Sequence, residues 1–110
     1  MSKKTSFDEA YAQASIEAIR ILGPVVSKIV TDYLQSRYSI DITKTANNPI
    51  ALDEALEHAI DGGRTIVERK LINLLYDKLK LEPLSANEQN NKLTSFEQKV
   101  NEARKRYSKS

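Results

Sequence analysis

His58 is the one imidazole in this chain, and there is no cysteine. The side-chain chemistry within reach is therefore narrow. Glu54 lies four residues before His58 and Asp61 three after it, so on a helix all three share a face. A histidine flanked by carboxylates is an ingredient of a metal site, yet a transition-metal centre needs further nitrogen or carboxylate ligands. The Glu-x-x-His pattern of di-iron bundles would put glutamate at position 55, which is Ala55. The preferred reading is a half-exposed histidine on an acidic surface, with no metal and no cofactor.

Histidine phosphotransfer is the sharper competitor. His58 is followed by Asp61, Gly62 and Gly63, and glycines near such a histidine let a partner approach. The same stretch argues against it. Asp61, Glu54 and Glu57 would surround a phosphoryl group with like charge. Elsewhere the three glycines form neither a P-loop nor a dinucleotide fingerprint. Ser27 and Ser36 read as helix-surface residues. Asp53-Glu54 are adjacent, so on a helix they diverge, and Asp8-Glu9 suit the dipole of a first turn. No catalytic residue emerges, and the chain reads as a non-enzyme.

The elements that position these residues are helical nearly throughout. Ser6 with Glu9 has capping-box spacing and opens a helix carrying Phe7, Ala10, Tyr11, Ala14, Ala18, Ile21 and Leu22. Gly23-Pro24 breaks it. A second helix runs from Pro24 to about Arg37 with the stripe Val26, Ile29, Val30, Tyr33 and Leu34. Tyr38 to Ile42 alternates like a strand but is too short and unpaired, so an extended connector is expected. Asn48 caps and Pro49 begins a third helix with Ile50, Leu52, Ala55, Leu56, Ala59 and Ile60. After Gly62-Gly63 a fourth helix is expected from about Arg64 to Leu81, with Val67, Leu71, Leu74, Leu75 and Leu79 on one face and Ile66 beside it. Glu82-Pro83 stops it. The polar residues that follow have linker composition. Thr94 or Ser95 then caps a last helix, Thr94 pairing with Glu97 at capping-box spacing.

This yields an all-α fold: a small bundle of four helices plus a C-terminal basic amphipathic helix. Residues 6–83 are the helical domain, 84–93 the polar linker and 94–107 the last helix. The expected core is Ile29, Val30, Tyr33, Leu34, Leu56, Ile60, Val67, Leu71, Leu74 and Leu75.

Lys plus Arg is 17 and Asp plus Glu 15, a net charge of +2. Residues 1–5 carry +2 and residues 92–110 carry +4, which leaves −4 for the middle. Such asymmetry does not favour a general nucleic-acid binder over a protein contact. The last helix is the candidate interaction surface: Phe96, Val100 and Tyr107 supply an apolar stripe with Ala103, and Lys99, Arg104, Lys105 and Arg106 a basic surround. Basic last turns also serve the helix dipole alone. This helix is expected to dock on its own body or, by exchange, on a second copy in a homodimer. An unidentified protein partner is the other reading, and nucleic acid a less favoured one. The longest apolar run, within Ile21 to Val26, is far short of a membrane span, and the expected address is the cytoplasm.

Between Leu22 and Leu81 a set of positions stands out: Gly23, Tyr33-Leu34, Tyr38, Ile40, Asn48-Pro49, Ala55-Leu56, Gly62-Gly63 and Glu68. This pattern resembles the Nitrosopolaris-type output domains of the fifth described type, small archaeal helical domains. The chain departs from it at Ser39, where the pattern has a glycine able to make a left-handed turn, and at Arg64, where it has a small residue. The resemblance implies a module that stands alone or beside signalling modules and relays a signal through protein contacts. It implies no catalytic residue.

Overall fold

A computed structural model of the chain describes residues 6–60, 63–82 and 95–109. It is all-α: α1 Phe7–Ile19, α2 Pro24–Tyr38, α3 Pro49–Ile60, α4 Arg64–Lys78 and α5 Phe96–Lys109, with single 3-10 turns at Arg20–Leu22 and Ile42–Lys44. No strand occurs among the described residues. The expected linker, 84–93, lies outside them, as do Asp61 and Gly62.

The helix starts follow local chemistry. Ser6 Oγ accepts the Glu9 N–H at 3.1 Å, and the Ser6 hydroxyl in turn donates to the Glu9 carboxylate. Pro24 opens α2 behind Gly23, whose φ of 91° and ψ of 162° belong to a region essentially reserved for glycine. Asn48 Oδ1 accepts the Ala51 N–H at the start of α3.

Two helix ends differ from a reading by residue type. Ser39 takes the left-handed conformation (φ 55°) in place of the glycine of the resembled pattern. Its N–H donates to the Gln35 carbonyl, and Ile40 N–H reaches back to Leu34. The fourth helix stops at Lys78, short of the expected Leu81. Lys80 turns left-handed (φ 58°), so that Leu81 N–H closes on the Tyr76 carbonyl and Lys80 N–H on Asp77. This closure ends the helix before Pro83 can.

α1 is the centre of the fold. It packs along α4 and against the Ile42–Lys44 turn, while α2 lies on α3, and α5 contacts both α3 and α4. Ala10, Ala14 and Ala18 are buried on the inner face of α1, where their small side chains let the neighbouring helix come close. Tyr11 fills the space between, and its hydroxyl donates to Thr45 Oγ1 at 2.7 Å while Thr45 donates to the Ile42 carbonyl. Burial pushes the Tyr11 phenol up to about 12.

Of the expected core, Val30, Leu34, Leu56, Val67, Leu71 and Leu75 are buried, and Tyr33, Ile60 and Leu74 pack at its edge. Ile29 is a correction: it is 61% exposed. α2 touches the body through the side bearing Val30 and Leu34, and one residue before Val30 the helix has already turned outward by about 100°. Core residues that the periodicity does not single out are Ile19 of α1, Ile72 and Tyr76 of α4, and Ile42 and Ala46 between helices.

Candidate functional site

α5 is docked on the body of its own chain. Phe96, Val100 and Ala103 are buried in the common core, and Tyr107 packs at its edge. The Tyr76 hydroxyl of α4 donates to the Lys99 carbonyl at 3.2 Å. Arg104 donates through Nη2 to the Ala46 carbonyl at 2.9 Å and to Asn47 Oδ1 at 3.1 Å, and its guanidinium lies 4.5 Å over the Phe7 ring. Arg106 pairs with Glu102 at 2.8 Å and sits over Tyr76. Thus Phe96, Val100, Arg104 and Arg106 of the sequence-derived candidates serve the fold. Lys105 is exposed and Lys99 half-buried.

Lys99 instead lines a polar cavity of about 240 Å³ between α3, α4 and the start of α5, with Asp53, Arg64, Thr65, Glu68, Arg69 and Ser95 around it and Ile72 and Phe96 behind. Arg64 Nη1 is 3.2 Å from both Asp53 oxygens and 3.5 Å from Glu57. The residue that departs from the small residue of the resembled pattern thus ties the start of α4 to α3. Glu68 Oε2 is buried, and among the described residues no donor satisfies it. Burial, followed by the neighbouring Asp53 carboxyl, pushes Glu68 up to about 9, with Arg64 and Lys99 opposing. Protonated, Glu68 becomes a second donor to the Asp53 carboxylate beside Arg64. The pair joins two helices fifteen positions apart, so neighbour spacing on one helix could not reveal it. The only hint was Glu68 as an isolated acid among the apolar positions of its helix.

His58 is exposed, and its ring stacks on Tyr38 of α2 at a centroid distance of 6.2 Å. Among the described residues, no group of three or more His, Asp or Glu side chains is placed to hold a metal ion.

The outer face of α2 carries large aliphatic side chains that stay exposed among the described residues. Val25 is 70% exposed and Ile29 61%, with Val26 beside them and Ile21 in the preceding turn. Gly23 sets the direction in which this face points, because its backbone conformation links the Arg20–Leu22 turn to Pro24. Lys28 and Asp32 border it, one helical turn apart and 3.2 Å from each other. No described helix is long and apolar enough to cross a membrane.

No family model, curated protein or solved structure matches the chain.

Proposed function

We propose that this chain is a non-enzymatic signalling or regulatory module that acts through protein–protein contacts, as the resemblance to archaeal output domains implies. The observation that carries the reading is the exposed apolar outer face of α2, with Ile21, Val25, Val26 and Ile29 in one stretch of sequence. Contiguous apolar surface on a small domain marks a contact site more often than a catalytic one. The interaction surface thereby moves from α5 to α2, because the apolar stripe of α5 is used within the chain.

A photo-crosslinking residue at Val25, introduced in the source cell, tests this. A discrete adduct of higher mass, lost when Ile29→Asp is added, is the expected result; no adduct overturns it. Nucleic-acid association through α5 is the lesser reading, since Arg104 is held by the body and Arg106 by Glu102 of its own helix. A salt-sensitive gel shift abolished by Lys105→Glu would raise it again. Phosphotransfer through His58 predicts labelled phosphate lost in His58→Ala.

A further inference from the structure

We infer that the partner seated on the outer face of α2 is a second copy of the same chain, its α2 running antiparallel. This rests on the contact reading above and names the occupant. At about 100° per residue, Val25, Ile29 and Ser36 run down the middle of the outer face. Lys28 and Asp32 run down one flank, Val26 and Tyr33 down the other, and Val30 and Leu34 turn to the core.

A two-fold axis perpendicular to α2 at the level of Val30 reverses the helix direction and keeps each flank on its own side. Lys28 then faces Asp32 of the second copy, and Asp32 faces Lys28, because each lies two residues from the axis. On the other flank, Val26 falls against Tyr33 of the second copy. At the centre the two Ile29 side chains meet. A heterologous helix would have to present an acid and a base at this spacing beside an aliphatic centre. α2 presents all of them to itself, as an isologous contact requires.

The charges are ready for such an exchange. The side chains of Lys28 and Asp32 are 78% and 66% exposed. An exposed pair of this kind adds little to the stability of a single chain. Moved between chains, it sets register and direction at the rim of the contact. The aliphatic centre supplies the burial. Tyr33 is already half-buried against its own chain and ringed by Tyr38 at 5.9 Å, so its exposed edge is held in place for Val26.

Sedimentation equilibrium on the purified full chain decides it. The wild-type chain is expected at about twice its 12.4 kDa mass. Ile29→Asp, Lys28→Asp and Asp32→Lys are each expected at the monomer mass with unchanged helical circular dichroism, the positions being solvent-exposed. Lys28→Asp leaves two acids on that flank and Asp32→Lys leaves two cations. An equimolar mixture of these two variants should therefore return to the dimer mass as a heterodimer. A monomeric wild-type chain overturns the inference, while the crosslink at Val25 would still judge a heterologous contact separately. A mixture that stays monomeric, or charge variants that stay dimeric alone, overturns the antiparallel register.

Discussion

Glu68 enters the folded state preferring its proton, since burial beside Asp53 lifts it from 4.5 to about 9. The sign follows from linkage. The folded chain binds this proton more tightly than the unfolded chain does, so the contribution is fully present below about pH 4.5 and fades as pH rises towards 9. The group is partly solvated, which reduces the size of the effect but leaves its direction. Urea midpoints measured at pH 5, 7 and 9 should fall steadily for the wild-type chain and less steeply for Glu68→Gln, which cannot ionise. Equal slopes in the two proteins would reject the shared-proton pair. A second residue-scale test concerns Tyr11. Thr45→Val removes the acceptor of its buried hydroxyl and should cost about 1–3 kcal/mol, whereas Tyr11→Phe should cost nearer 1 kcal/mol; chemical denaturation separates the two.

At the scale of the element, both left-handed helix ends are held by residues other than glycine. Replacing Lys80 by glycine should raise stability by about 0.5–1 kcal/mol, because the native φ of 58° no longer crowds a Cβ. A lowered melting temperature would mean that the lysine side chain contributes more than its backbone costs. Helix starts were readable from the sequence because caps are local: Ser6, Pro24 and Asn48-Pro49 satisfy or dispense with donors within one turn. Helix ends were less readable, since Ser39 and Lys80 carry no compositional signal for a left-handed turn. Facing is less local still. Ile29 and Val30 are neighbours of equal hydrophobicity, and only the placement of α3 decides that Val30 is covered. α1 stands out less as a core helix because its inner face is mostly alanine. The Asp53–Glu68 pair was hidden because its members come from different helices.

At the scale of the whole molecule, the described residues share one core, to which α5 contributes Phe96, Val100 and Ala103. Phe96 and Val100 are each buried, and burial of a side chain of that size is worth about 1.5–3 kcal/mol. Total stabilities of small domains are about 5–15 kcal/mol. A chain ending at Glu88 should therefore melt well below the full chain and bind a hydrophobic dye on the α3 and α4 wall that α5 leaves bare. An unchanged melt would show that the first four helices fold without it. Leu71→Ala, at the fully buried centre of α4, should cost about 2–5 kcal/mol by the same measurement.

Gly23 also governs how this sequence can drift. Apart from its chain neighbours, no atom lies within 4 Å of where its Cβ would be, so a Cβ has room there. The backbone at φ 91° and ψ 162° nevertheless admits little but glycine, and Gly23→Ala should cost about 1–3 kcal/mol. In a library of all substitutions screened for stability, this surface position should behave like a core one. Val25 and Ile29, two and six residues later, should accept nearly anything. Screened instead for association, the same library should close Val25 and Ile29 to polar residues. The positions that change standing between the two screens would trace the contact face without any structure of a complex.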